Sequence, residues 1–254
     1  MRKDITVIIP TSVIRSHPST AIIDETINNI RYHLPDSEII LQIDGIRDEQ
    51  LHRKKEYDEY KNRVLWKCLH EWTNVLPIVF DEYSHQTTMM KKTIDLVKTK
   101  FLLYVECDTP LVIDEPIDWE ACMNFMNRGR ANTIRFHHEG VIPKEHNHLM
   151  FGIDAEGPFM GTCQWSQRPH LTFTSYYRDV VLPVSWEKTF LEDQFHGIVS
   201  EDYKLLPNNG GFEKHKLWIY HPNKTNIKRS YHLDGRNGLR KFTDDDISWG
   251  FTEE

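Results

Sequence analysis

Hydrophobic positions along the first 108 residues fall into short unbroken runs separated by amphipathic stretches. Ile5 to Ile9 is almost wholly apolar and ends at Pro10-Thr11-Ser12, which predicts a buried strand with a polar loop at its carboxyl end. Ile23, Ile27, Ile30 and Leu34 then recur at helical spacing and form one apolar helix face. Ser19 or Thr20 can cap that helix, Asp24 and Glu25 complement its dipole in the first turn, and Pro35-Asp36 ends it. Glu38 to Ile43 predicts a second strand, closing on Asp44-Gly45. Asp48 to Trp72 is a long charged helical pattern with Tyr57, Tyr60, Val64 and Cys68 on one side and a solvated Lys/Glu-rich remainder. Val75 to Phe80 predicts a third strand, and Met90, Ile94 and Val97 the inward face of the next helix. Phe101 begins a fourth strand, which runs into Glu106-Cys107-Asp108. Strand–helix alternation of this kind predicts an α/β fold with a mainly parallel sheet and right-handed crossovers.

The second half is patterned differently. Asp118 to Asn127 predicts a helix and Asn132 to Phe136 a strand, followed by an irregular stretch from His137 to Phe159 rich in His, Gly and Pro. Phe159 to Trp165 and Leu171 to Tyr177 predict two strands joined at Arg168-Pro169. Trp186 to Val199 predicts a helix with Glu192-Asp193 near its start, and Leu217 to Tyr220 a late strand before a charged tail. No repeat, low-complexity tract or linker divides residues 1–254, so one domain is expected.

Candidate chemistry gathers where apolar runs end in acids. Carboxylates at the end of a buried strand are costly unless a cation or hydrogen-bond donors meet them. In open α/β sheets ligands collect outside the carboxyl ends of the strands. Glu106 and Asp108 therefore suit a hard divalent cation, and equally a solvated turn. The histidine-rich segments His137-His138-Glu139 and Glu145-His146-Asn147-His148 raise a transition-metal site, although their spacing matches no zinc pattern. Composition narrows the field. Apolar and charged fractions of 39% and 27% are those of a globular chain, and no apolar run approaches the ~20 residues of a membrane span. Cys68, Cys107, Cys122 and Cys163 lack paired metal spacing and suit reduced thiols, and the first residues carry no signal-peptide pattern, so a cytoplasmic location is expected. A net charge of −7 disfavours general attraction to nucleic acid.

Taken in order, these residues resemble the GT-A nucleotide-sugar glycosyltransferases, family 2 type. Val7-Ile8-Ile9-Pro10-Thr11-Ser12 is similar to that family's opening strand and loop, Asp44 to its nucleotide-contacting acid, and Leu102 to Asp108 to the strand entering its Asp-x-Asp metal motif. Phe173-Thr174-Ser175-Tyr176-Tyr177-Arg178-Asp179 resembles the segment before the catalytic acid, and Leu191-Glu192-Asp193-Gln194-Phe195 the Glu-Asp motif itself. Tyr231-His232-Leu233-Asp234 supplies a histidine of the metal-completing kind. Two departures stand out: Glu106 replaces the first Asp, and no Gln-x-x-Arg-Trp element follows Asp193, which argues against a polymer-extruding synthase.

The resemblance implies a Rossmann-like sheet flanked by helices, with residues 1–110 as the donor half and 111–254 as a smaller mixed acceptor half. It implies an inverting transfer from a nucleotide diphosphate-sugar, UDP-sugar first, to a hydroxyl acceptor such as a glycan, assisted by Mn2+ or Mg2+. Asp193 would be the general base. Asp108, Glu106 and His232 would hold the metal, with Glu106 acting directly or through water. Pro10, Thr11, Asp44, Lys91, Asp108 and Arg236 would contact the donor, with Lys92 a further cation. Trp165, Tyr176 and Glu192 would contact the acceptor, the aromatic residues serving the core equally well. Two other readings fit the same residues: transfer to a hydroxymethylated base in DNA, and a noncatalytic nucleotide-sugar or glycan-binding module.

Overall fold

The computed structural model describes residues 4–137, 142–155, 157–206, 210–221, 228–233 and 247–248. The chain opens with β1 (Ile5–Thr11), α1 (Ala21–His33), β2 (Ile39–Ile43) and α2 (Lys54–His70), the last entered through a 3-10 turn at Asp48–Arg53. β3 (Val75–Val79), α3 (His85–Thr93), a 3-10 turn at Ile94–Leu96 and β4 (Phe101–Tyr104) follow. The four strands pair in parallel in the order β3–β2–β1–β4. Their unbroken apolar runs have a simple cause: alternate residues serve two layers. Ile5, Val7, Ile9, Ile39, Leu41 and Ile43 pack with Ile23, Ile27 and Ile30 of α1 and with Tyr57, Tyr60 and Val64 of α2. Ile8, Ile40 and Leu102 pack on the opposite face with Met90 and Ile94. Each such side chain withdrawn from water contributes about 1.5–3 kcal/mol.

Beyond β4 come α4 (Trp119–Asn127), β5 (Thr133–Arg135), β6 (Ile142–Pro143), β7 (Met150–Ile153), β8 (Phe159–Thr162) and β9 (His170–Phe173). Then follow α5 (Thr174–Tyr176), a π-helical turn (Tyr177–Val181), α6 (Leu182–Val184), α7 (Leu191–Leu205), α8 (Gly210–His215), β10 (Leu217–Tyr220) and β11 (Ile247–Ser248). β9 runs antiparallel between β4 and β5, β10 is parallel to β5, and β8 and β7 add antiparallel. The result is one mixed sheet in the order β3–β2–β1–β4–β9–β5–β10–β8–β7, with β11–β6 as a separate short pair. Beyond β4 the pairing is antiparallel except for β10 on β5, so the sheet is mixed where the sequence pattern implies a mainly parallel one.

Three predicted elements are corrected. The strand expected to reach Tyr177 stops at Phe173, where Thr174 N donates to Lys100 O at 3.0 Å and its hydroxyl donates to Thr99 O at 2.9 Å. Those bonds turn the chain into helix, and Tyr176 and Tyr177 pack inward beside Trp165 and Phe195. The helix expected from Trp186 begins only at Leu191, because the preceding loop is tied to α3: Lys188 N donates to Thr88 Oγ1 at 2.9 Å and Thr87 Oγ1 to Thr189 O at 2.7 Å. The irregular stretch after His137 contains β6, a 3-10 turn (Lys144–Leu149) bearing His146 and His148, and β7. His138 and Glu139 lie outside the described residues.

Candidate active site

The carboxyl ends of β1, β2 and β4 open onto one cavity of about 370 Å³. β1 brings Pro10 and Thr11 to it, β2 is followed there by Asp44, and β4 by Glu106, Cys107 and Asp108. His85 and Gln86 at the start of α3, Phe190 and His232 line it as well. Arg15, Arg47 and Arg53 bring positive charge to the same walls. Acids and guanidinium groups therefore share one concave surface, as a ligand with an anionic centre and polar ends requires.

Asp44 is 1% exposed, and its carboxylate is caged by backbone. Oδ1 accepts from Gly45 N at 2.8 Å and Ser84 N at 2.7 Å, and Oδ2 from His85 N at 3.0 Å. Burial raises its pKa, and these three N–H donors work against that rise. The caging has a local cost: His85 adopts φ 59°, a left-handed conformation uncommon for a non-glycine residue. Burial, reinforced by Arg47, lowers the His85 pKa to about 4, so its ring is neutral. Cys107 is buried and its thiol pKa is pushed up by desolvation, which keeps it protonated and unreactive.

His232 reaches the cavity from far along the chain. Tyr231 N donates to Pro110 O at 3.1 Å and Leu233 N to Asp108 O at 2.9 Å, which sets the imidazole over the exit of β4. His232 Nδ1 lies 3.6 Å from Asp108 Oδ2. Two donors at that separation both fall within the ~2.1 Å reach of one small divalent cation. Among the described residues no group of three His, Cys, Asp or Glu side chains is arranged to enclose an ion. A two-donor site of this kind suits a cation that takes its remaining ligands from phosphate and water. Glu106 has a different engagement, since its Oε1 accepts from Gln86 Nε2.

The other predicted residues are placed as follows. Asp193 is exposed on the first turn of α7 and is not among the residues lining the cavity; its negative charge favours protonation of His85, against the effect of burial. Glu192 is turned inward: its Oε2 accepts from Gln167 N at 3.0 Å. That contact makes it a clamp on α7. Lys91 Nζ donates to Ser185 O at 2.6 Å and is absent from the cavity wall, so it braces the α6–α7 loop. Trp165 and Tyr176 are 1% and 5% exposed, with Trp165 edge-on to Phe195 and Tyr176 OH bonded to His215 Nδ1 at 2.8 Å. Both rings are core, offering no face to an acceptor. Arg236 lies outside the described residues. Sequence reasoning missed His85, Gln86, Arg47, Arg53 and Gln167. Arg53 donates to Ile14 O at 2.7 Å and His17 O at 3.3 Å and so shapes the loop after β1.

No family model matches the chain, and no curated protein matches it. Solved structures do. S. aureus TarS 1–349 in complex with UDP-GlcNAc superposes with a TM-score of 0.52 at 12% identity, over 90% of this chain and 58% of that one. Another crystal structure of TarS 1–349 gives 0.50 at 13% identity, over 91% and 60%. The mannosyltransferase PcManGT from Pyrobaculum calidifontis, solved with GDP-Man and Mn2+, gives 0.47 at 10% identity over 86% and 57%, too loose a superposition to transfer anything. The chain thus spans about three fifths of the structures it matches. At such identity the likeness establishes the fold alone: an α/β scaffold with a large mixed sheet flanked by helices.

Proposed function

We propose that this chain is a nucleotide-sugar-dependent glycosyltransferase acting with inversion on a hydroxyl acceptor, residues 1–110 forming the donor half and 111–254 the acceptor half. One observation carries the reading. Thr11, Asp44, Glu106, Asp108 and His232, scattered over more than 200 residues of sequence, line a single cavity at the strand ends of this fold. The UDP-GlcNAc held by TarS supports a UDP-sugar as the first donor to test.

Asp108 and His232 would hold Mn2+ or Mg2+. When bound, the cation neutralises charge on the departing diphosphate. The chain's own residues do the rest. Pro10, Thr11 and the caged Asp44 offer a rigid wall to the nucleoside, and Arg47 adds positive charge beside it. Asp193 takes the acceptor hydroxyl's proton while the new bond forms opposite the leaving group. The nucleotide departs with the bonding electrons. Phe190, edge-on to His85 with ring centroids 4.3 Å apart, screens the reacting side from water.

Incubation with UDP-, GDP- and TDP-sugars plus manganese is expected to give slow hydrolysis of one donor, reduced about a hundred-fold or more in Asp108→Asn. Asp193→Asn should lose transfer while keeping nucleotide affinity. Hydrolysis of no donor, together with no nucleotide-induced rise in melting temperature, refutes the assignment.

A further inference from the structure

Two glutamine amides join the acid beyond β4 to the first turn of α7. Glu192 N donates to Gln167 Oε1 at 3.0 Å. Gln167 Nε2 donates to Gln86 Oε1 and to Tyr104 OH, the latter at 3.1 Å. Gln86 Nε2 then donates to Glu106 Oε1. The polarity of this line is set at both ends, because a main-chain N–H only donates and a carboxylate only accepts. Each amide therefore has one orientation that satisfies both neighbours. Gln167 is 4% exposed and Tyr104 fully buried, so a reversed amide would leave buried groups facing like partners.

The line also does something local sequence does not do for α7. Phe190 occupies the N-cap and supplies no side-chain hydrogen bond, leaving the first N–H groups of the helix to be met from elsewhere. Gln167 meets one of them, and its own N–H returns to Glu192 Oε2 at 3.0 Å. The start of α7 is thus located by the loop before β9, and through Gln86 by the end of β4.

We infer that Gln86 and Gln167 form a strut of fixed polarity that sets Asp193, the neighbour of Glu192, at a defined distance from the acids facing the donor. Both are positioning residues for transfer. The inference rests on the reading of Asp193 as base and of the cavity as donor site. Misplacing a base by an ångström slows transfer without loosening a donor that the base does not hold.

The test uses the full chain, with UDP affinity by calorimetry in manganese and turnover of the donor found above. Gln167→Leu and Gln86→Leu, each checked for a native circular dichroism spectrum, should lower kcat about ten- to a hundred-fold, and Gln167→Leu, at a residue outside the cavity wall, should change UDP affinity less than two-fold. The double variant should lose no more than the worse single one, as members of one unit do. Gln167→Glu provides the arm that simple packing would not move. The nearby carboxylates of Glu192 and, one amide further, Glu106 favour the protonated carboxyl there. That form donates to Gln86 as the amide does, so the ratio of variant to wild-type kcat should rise as pH falls. A folded Gln167→Leu with unchanged kcat, additive losses in the double variant, or a pH-independent Gln167→Glu ratio overturns the strut alone. A wild type that neither binds UDP nor turns over any donor removes the functional reading, and the strut's role with it.

Discussion

Asp44 directs both carboxylate oxygens to main-chain N–H groups, and this decides what its conservative replacement does. In Asp44→Asn the amide oxygen must serve Gly45 and Ser84, which share Oδ1, leaving the NH2 group opposite His85 N. Donor then faces donor in a buried site, at about 1–3 kcal/mol. A drop of that size in urea-derived stability is expected, and an unchanged midpoint would show that the cage is not as described. The acids were legible in the sequence because a carboxylate closing an apolar strand is conspicuous. Gln86 and Gln167 were not: a glutamine has no periodic signature, and its importance comes from a partner about 80 residues away. His85 was hidden for a related reason. Its role follows from a backbone angle that residue identity does not announce.

At the scale of elements, most of the first half was legible, since runs buried on two faces and a helix stripe leave strong patterns. Errors fell where tertiary hydrogen bonds overrode local pattern. Thr174 continues a strand pattern in sequence, but its bonds to Thr99 and Lys100, just before β4, turn the chain into helix, and α7 starts late because its approach is anchored on α3. Gly45 is where β2 meets the turn before α3. A Cβ there would lie 2.2 Å from Glu82 C and 2.4 Å from Tyr83 N, both backbone atoms unable to rotate aside. Gly45→Ala should therefore push that turn off Asp44 and destabilise by about 1–3 kcal/mol or more. Gly197 inside α7 is the control, because nothing lies within 4 Å of its would-be Cβ. Gly197→Ala should stabilise by about 0.4–1 kcal/mol. Equal effects of the two substitutions in thermal unfolding would contradict the close approach at Gly45.

Across the whole molecule, stability should depend on pH through imidazoles that fold neutral. Burial lowers the pKa of His17 to about 3, with Arg53 adding to the effect, and lowers His85 and His170 to about 4. His33 and His215 are lowered by burial as well. The unfolded chain binds these protons near 6.5, the folded chain only far below, so unfolding takes up protons throughout the interval. The contribution is complete above pH 6.5 and is lost as pH falls, down to about 4 for His85 and His170 and about 3 for His17. Asp44, raised by burial, acts in the opposite sense within the carboxylate range, but as a single group against several. Melting temperature should accordingly hold level just above pH 7 and decline steadily from pH 6.5 toward 4. His17 isolates one proton of that slope. It is 4% exposed and stacked on Tyr60 with centroids 3.7 Å apart, and its buried Nε2 has no hydrogen-bond partner among the described residues. His17→Phe keeps the stack, gives up a 3.3 Å bond from Ile14 N, and removes the titration. The variant should match the wild type near pH 7 and lose less stability on acidification, the difference approaching about 1.4 kcal/mol per pH unit. Parallel stability curves for the two proteins between pH 6.5 and 4 would place the acid sensitivity elsewhere in the fold.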